Sequence, residues 1–148
     1  MKVKVACILL AAGLSSRMKI GNKLLLKFNN KTIIEETVNH LAKTNIYKLF
    51  VILGHQSETL ANTLKNLKIF IVINSSYKKG ISSSIIEGVK MLSNNTSGVM
   101  ICLADMPKIT TNSYNTLINF FNKFYENKKP LIIIPEYHGK LGNPVIFS

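Results

Sequence analysis

Short apolar runs alternate along the chain with segments of helical periodicity. The runs predict strands over 3–10, 49–53, 69–73, 98–103, 131–134 and 145–147, with a shorter apolar piece over 24–28. Continuous runs of this kind suit strands that are buried on both faces of a sheet. Between them, apolar residues recur every three or four positions, which predicts helices. The residues that this spacing turns inward are Ile34, Val38 and Leu41, then Leu60, Ala61 and Leu64, then Ile85, Val89 and Leu92, and finally Tyr114, Leu117, Phe121 and Phe124.

This alternation of strands with single helices predicts an α/β fold with a mainly parallel sheet covered on both faces. No internal repeat, low-complexity tract or linker marks a boundary. A chain of 148 residues can bury a real core within one domain. We therefore expect a single Rossmann-like three-layer domain over 1–148.

Hydropathy argues against a membrane protein, because no apolar run approaches the ~20 residues needed to cross a bilayer. The basic, then apolar N-terminus superficially resembles a signal peptide, but its removal would delete the first strand. We expect a cytoplasmic protein without a membrane partner. Cys7 and Cys102 both lie in strand-like runs, where cysteine behaves as a small buried hydrophobe, and we assign them no chemistry.

The formal net charge of +12 raises the possibility of nucleic-acid binding. The lysines, however, are spread along the chain, and they are not interleaved with aromatic residues in a recognition motif. We therefore expect no nucleic-acid partner. A positive field would instead help to collect a small anionic substrate.

The loop after the first strand has the composition of a phosphate-binding loop. Small residues from Ala11 to Ser16 let a ligand approach the main chain, whose N–H groups can bond phosphate oxygens. Arg17, which is the only arginine, and Lys23 would supply positive charge. The alternative is an ordinary turn that carries one surface arginine.

Other polar residues also follow predicted strands, and in parallel sheets ligands bind beyond the carboxyl ends of the strands. Asp105, the only aspartate, comes directly after a buried run and is suited to holding Mg²⁺ against phosphates, or else to capping the next helix. Residues 80–84 precede a helix N-terminus that favours anionic groups, although serines also cap helices without a ligand. His55 would contact a base or ribose, or simply end its strand. Asn74 begins a polar loop at the same edge.

Five motifs in order resemble one family. They are LAAGLSSRM followed by NKLL, then GHQSE, then N-x2-Y-x2-GISSSIIEGV, then LADMP, and finally Y-x-GK-x-GNPVIF. Together they span essentially the whole chain. The chain resembles the nucleotidyltransferase family that contains the molybdenum cofactor cytidylyltransferases and the molybdopterin guanylyltransferases, and its GHQ, GISSS and GNPV segments are more similar to the cytidylyltransferase branch.

The resemblance implies Mg²⁺-dependent attack of a molybdopterin terminal phosphate on the α-phosphorus of CTP, with release of pyrophosphate. It implies that the loop main chain receives base and phosphates, that Arg17 and Lys23 bind the triphosphate, and that Asp105 binds the metal. Arg17, Lys23 and Asp105 are the expected catalytic residues. The expected nucleotide-binding set is Leu10, Ala11, Ala12, Gly13, Ser15, Arg17, Lys23, His55, Asn74, Gly80, Ser82, Ser83 and Ser84.

The sequence departs from the family pattern at two points. Lys19 stands where the family usually has glycine, and no glutamate matches the family's second metal-binding carboxylate. We also expect the domain to be shortened at its C-terminus relative to the family. Three alternatives therefore stay open: a non-catalytic nucleotide-binding remnant, GMP transfer to molybdopterin, and nucleotidyl transfer to another acceptor such as a sugar phosphate.

Overall fold

The computed structural model describes residues 2–14 and 21–148. Its four α-helices are α1 (Ile33–Ala42), α2 (Ser57–Leu64), α3 (Ile81–Lys90) and α4 (Thr111–Phe124). Two 3-10 turns, Lys23–Leu25 and Tyr77–Lys79, lie in the loops. The strands are β1 (Val5–Ala11), β2 (Lys27–Phe28), β3 (Lys31–Thr32), β4 (Lys48–Leu53), β5 (Phe70–Ile73), β6 (Gly98–Leu103), β7 (Ile132–Ile133), β8 (Glu136–Tyr137), β9 (Lys140–Leu141) and β10 (Val145–Phe147).

Six strands form one sheet in the order β5-β4-β1-β6-β10-β7. Strands β1, β4, β5 and β6 run parallel, whereas β10 is antiparallel to both β6 and β7. The carboxyl ends of four parallel strands therefore meet at one edge. This architecture confirms the predicted α/β fold with a mainly parallel sheet.

Strand β1 is the centre of the core, and all seven of its residues are buried. Because successive side chains point to opposite faces, it contributes to two separate apolar clusters. Val5, Cys7, Leu9 and Ala11 pack with buried residues of α1, α2 and α4. On the other face, β1 side chains such as Ile8 pack with β4, and Ile85 of α3 is partly buried against them.

The two faces of the sheet are not covered equally. Among the described helices, α3 is the one packed on the second face, and an apolar groove of about 510 Å³ runs beside it over β6 and β10. Val89 was expected to point inward, but it borders this groove and is 48% exposed. The close approach of α3 to the sheet occurs instead at Gly88, where a Cβ atom would lie 2.6 Å from Ile8 Cγ2.

One helix face was predicted wrongly, and the apolar piece 24–28 lies outside the main sheet. It becomes the turn Lys23–Leu25 followed by a two-residue strand, because the Asn29–Asn30 turn, with φ of 48° and 66°, returns the chain into the β2–β3 hairpin. In α4 the third buried residue beside Tyr114 and Phe121 is Ile118, and Phe124 is 52% exposed.

The cysteines lie where the sequence placed them, on buried strands. Cys7 and Cys102 are both buried, with 3.5 Å between their sulfur atoms, and burial raises the pKa of the Cys102 thiol. Across 2–14 and 21–148, no helix has both the length and the apolar character that crossing a bilayer requires.

Candidate functional site

Main-chain hydrogen bonds tie the strand ends together at the carboxyl edge. His55 N–H donates to the carbonyl of Ala12 at 3.3 Å, and Ala104 N–H donates to the carbonyl of Leu10 at 3.1 Å. The Asn74 N–H extends this connection outward by donating to the carbonyl of Leu53 at 2.7 Å. The loops that follow the four parallel strands are thus fixed to one another by backbone groups, whatever side chains they carry.

A cavity of about 770 Å³ opens at this edge. Eight of the candidate residues line it, and they come from β1 and its loop, from the Lys23 turn, from the start of α3 and from the end of β6. They are Leu10, Ala11, Ala12, Gly13, Lys23, Gly80, Ser84 and Asp105. Arg17 and Ser15 lie outside the described residues.

The charged centre of the cavity is a direct contact between Lys23 and Asp105. Lys23 Nζ lies 2.5 Å from Asp105 Oδ2, although the two residues are 82 positions apart in the chain. The backbone at Lys23 is fixed because the buried side chain of Asn22 accepts a hydrogen bond from Leu24 N–H. Both charged side chains remain partly exposed, at 41% and 36%, and can therefore be reached from the cavity.

The side chain of Asn74 holds the first turn of α3 in place through hydrogen bonds. This side chain is buried, and its amide donates to the hydroxyls of Ser83 and Ser84 at 2.8 and 2.9 Å. Its carbonyl oxygen accepts from Ser76 N–H at 2.9 Å. The described side-chain hydrogen bonds of Asn74 are thus with its own loop and with the start of α3, and they hold Gly80 and Ser84 at the cavity wall.

Ser83 and His55 stand beside the cavity without lining it, as does the exposed Ser82. The Ser83 hydroxyl donates to the carbonyl of Gly80 at 2.7 Å. The His55 ring lies next to the ring of Tyr77, with 6.2 Å between the centroids. His55 thus lies at the carboxyl edge of the sheet, and the side chain of Tyr77 stands between it and the cavity.

Sequence reasoning missed several lining residues. Tyr77 and Lys78 line the cavity together with Leu14, Leu24, Ile81 and Leu103. Tyr77 packs against the neighbouring strand end, since a Cβ atom at Gly54 would lie 2.6 Å from Tyr77 Cβ and 2.9 Å from Ala12 Cβ. Glycine at position 54 lets Tyr77 pack directly against the strand-end backbone.

The donor set at Asp105 fits a magnesium ion that is shared with a substrate. Mg²⁺ is usually bound by one or two carboxylates plus substrate phosphates and water, rather than by an all-protein cage. Asp105 supplies one partly exposed carboxylate, and no group of three or more His, Cys, Asp or Glu occurs in the part of the chain that the structure describes. A metal held here would therefore need ligand oxygens from the bound nucleotide.

Two curated proteins show how this chain is related to others. It is 27% identical to the molybdenum cofactor cytidylyltransferase of Escherichia coli K12 over 145 residues, which cover 97% of this chain and 70% of that protein. It is 23% identical over 114 residues to the nicotine blue oxidoreductase of Paenarthrobacter nicotinovorans, which covers 77% of this chain and 55% of that protein.

Solved structures share the fold. Rv0371c from Mycobacterium tuberculosis H37Rv has a TM-score of 0.84 at 18% identity, covering 99% of this chain and 71% of that one. The manganese complex of the same protein has a TM-score of 0.80 at 17% identity, covering 100% and 72%. The family model described as the MobA-like NTP transferase domain matches residues 7–148. This match covers nearly the whole chain, and the chain belongs to the MobA-like NTP transferase family of nucleotidyltransferases.

Proposed function

We propose that residues 1–148 form a nucleotidyltransferase domain that transfers CMP from CTP to a molybdopterin-type molybdenum cofactor. The observation that carries the proposal is the cavity at the carboxyl edge, where residues 10–13 at the end of β1 form one wall and the Lys23–Asp105 pair lies at its charged centre. The choice of CTP and molybdopterin is supported by the similarity to the Escherichia coli cytidylyltransferase.

The reaction is a displacement at phosphorus. A phosphate oxygen of the acceptor forms a bond to the α-phosphorus of CTP, while the bond from that phosphorus to the bridging oxygen of the β-phosphate breaks. Pyrophosphate leaves with the bonding electrons. Such a transfer requires in-line positioning and neutralisation of charge more than covalent chemistry by side chains.

The cavity residues divide these tasks. The main chain of 10–13 would receive base and phosphates, and Gly80 and Ser84 would contact the nucleoside side. Lys23 and Lys78, together with Arg17 from the family resemblance, would neutralise the triphosphate. Asn74 would act as a positioning residue through its bonds to Ser83 and Ser84.

Asp105 would hold the Mg²⁺, whose charge stabilises the phosphate oxygens when it is bound. The relative Rv0371c has been solved with manganese, which is also a divalent cation. For this chain the assignment rests on a partly exposed carboxylate at the cavity wall.

Pyrophosphate release tests the proposal. Purified protein is incubated with Mg²⁺, with either molybdopterin-type cofactor or a sugar phosphate as acceptor, and with CTP, GTP or ATP in turn. We expect release with CTP, and we expect Asp105→Ala to reduce it roughly 100-fold or more, because metal-bound charge stabilisation is worth several kcal/mol. Glu126→Ala serves as the control, since that exposed carboxylate pairs with Lys129 at the surface.

The other outcomes each contradict a stated part of the proposal. Faster release with GTP would replace CMP transfer by GMP transfer. If pyrophosphate release required a sugar phosphate instead of the molybdopterin-type cofactor, the proposed acceptor would be wrong and the sugar phosphate would take its place. Measurable CTP binding without pyrophosphate release under any condition would identify a nucleotide-binding protein without turnover. Equal rates for Asp105→Ala and Glu126→Ala would refute the role of Asp105.

A further inference from the structure

The Lys23–Asp105 contact occupies one oxygen of the carboxylate that a metal would use. Lys23 Nζ sits 2.5 Å from Oδ2, which is direct hydrogen-bonding distance. Among the described residues, this is the ion pair in which Asp105 takes part. The Asp105 charge is therefore balanced by a side chain of the same cavity.

The backbone of each partner is fixed, whereas the charged end of each side chain is partly exposed. Thr37 Oγ1 donates to the carbonyl of Ala104 at 3.0 Å, and Ala104 N–H bonds to Leu10, so the backbone before Asp105 is tied to the core. Lys23 begins a turn that is fixed by Asn22. The long lysine side chain can therefore change partner without movement of either backbone.

An ammonium group and a divalent cation compete for one carboxylate, because like charges at contact distance repel each other. A triphosphate carries more negative charge than Asp105, and it offers the ammonium group several charge-assisted hydrogen bonds. The Lys23 side chain borders the same cavity that a nucleotide would enter. Arrival of the phosphates would thus draw Lys23 away from Asp105.

We propose that Lys23, besides contacting the triphosphate, keeps Asp105 closed to divalent cations until a polyphosphate replaces the carboxylate as the partner of its ammonium group. This inference rests on the proposed nucleotide site, which it deepens. It makes metal binding at Asp105 depend on the nucleotide. The nucleotide would bind first and the divalent cation second.

Manganese affinity without nucleotide tests the competition directly. The dissociation constant of Mn²⁺ is measured by electron paramagnetic resonance for the unchanged protein, for Lys23→Met and for Lys78→Met. We expect Lys23→Met to bind Mn²⁺ about fivefold more tightly, the upper range for loss of a partly exposed ion pair. Lys78→Met removes the same charge from the same cavity, but the described ion pair of Asp105 is with Lys23 and not with Lys78, and we expect less than a twofold change.

The double variant Lys23→Met with Asp105→Asn locates the effect. If the gain comes from freeing Asp105, it disappears in the Asp105→Asn background, and Lys23→Arg binds Mn²⁺ as weakly as the unchanged protein. An equal gain in Lys78→Met, or a gain that persists without the Asp105 carboxylate, would overturn the proposal in favour of a general field effect. Thermal unfolding followed by circular dichroism establishes that each variant is folded.

The same variants test the exchange from the nucleotide side. CTP affinity is measured in EDTA for the unchanged protein, Asp105→Asn, Lys23→Met and the double variant, as a double-mutant cycle. We expect Asp105→Asn to raise CTP affinity when Lys23 is present and to have a smaller effect when it is absent. Equal effects in both backgrounds would contradict the exchange. Absence of CTP binding to the unchanged protein in EDTA would contradict the order of binding, and absence of binding with Mg²⁺ as well would refute the proposed function, while the manganese result would still report on Lys23 and Asp105.

Discussion

At the scale of single residues, the cavity depends on close backbone approach as much as on charged groups. Gly54 directly follows β4, and a Cβ atom added to it would meet Tyr77, which is a cavity wall residue, and Ala12, which belongs to the loop after β1. A side chain at this point would push two walls of the cavity apart. At Gly13, in the same loop as Ala12, no atom of the residues that the structure describes lies within 4 Å of the position its Cβ would take.

Gly54→Ala should therefore destabilise the protein, whereas Gly13→Ala should not. The new methyl group would lie 2.6 Å from Tyr77 Cβ and 2.9 Å from Ala12 Cβ. Overpacking of this kind typically costs about 1–3 kcal/mol in the free energy of unfolding. Urea denaturation measures both variants, and we expect Gly13→Ala to stay within about 0.5 kcal/mol. A Gly54→Ala variant as stable as Gly13→Ala would mean that Tyr77 does not pack on this glycine.

At the scale of elements, α1 shows how a short sequence signal fixes a helix end. Thr32 Oγ1 accepts from Glu35 N–H at 3.3 Å, while the Glu35 carboxylate accepts from Thr32 N–H at 2.8 Å. This capping box satisfies two backbone groups that the first helical turn leaves unpaired. The buried face of the same helix contributes Thr37, which bonds to the backbone before Asp105. Helix α1 therefore connects the capping box at its N-terminus to the backbone next to Asp105 in the cavity.

Removal of the cap should lower stability by about 1 kcal/mol in Thr32→Ala. Thr63→Ala is the matched control, since its hydroxyl donates to the carbonyl of Thr59 within α2 and caps no helix end. Guanidinium denaturation at neutral pH compares the two. A loss in Thr63→Ala as large as that in Thr32→Ala would argue that the helix cap is not the cause.

The cap should also make stability depend on pH. The hydrogen bond from the Thr32 backbone, followed by that from its side chain, lowers the pKa of Glu35 below its ordinary value of 4.5. A carboxyl group with a depressed folded-state pKa stabilises the native state above its unfolded pKa, and this contribution is lost as the pH falls through the folded pKa. Below pH 4.5, the stability difference between the unchanged protein and Glu35→Gln should therefore shrink. A difference that is constant across this range would contradict the coupling.

At the scale of the whole molecule, the charge is strongly unbalanced. Lysine and arginine number 19 against 7 acidic residues, and none of the described lysines is buried. Self-repulsion of this kind weakens the folded state, and added salt screens it. The same positive field favours approach of an anionic substrate to the carboxyl-edge cavity.

Salt should therefore stabilise this protein. Raising NaCl from about 10 mM to about 300 mM shortens the screening length from roughly 30 Å to well under 10 Å. We expect the melting temperature to rise by about 2–4 °C, which corresponds to about 1 kcal/mol for a domain of this size. KCl should give the same shift if screening is responsible. A fall in melting temperature would show that attractive ion pairs outweigh the repulsion.

The sequence by itself determined the order of strands and helices, because the period of apolar residues follows from which faces are buried. It also determined that small and charged residues follow the strands, and hence the edge of the sheet where they gather. Buried β1 and the apolar faces of α1 and α2 follow from local pattern alone.

Only the tertiary structure decided which of those residues meet in one cavity. Lys23 and Asp105 touch across 82 positions because β1 and β6 are neighbours and the buried side chain of Asn22 fixes the turn that begins at Lys23. Tyr77 reaches the wall through the space at Gly54. The second face of the sheet, with its open groove beside α3, is likewise a property of packing. Periodicity records whether a residue is buried, but contact between distant residues depends on strand order and loop closure, which no local pattern encodes.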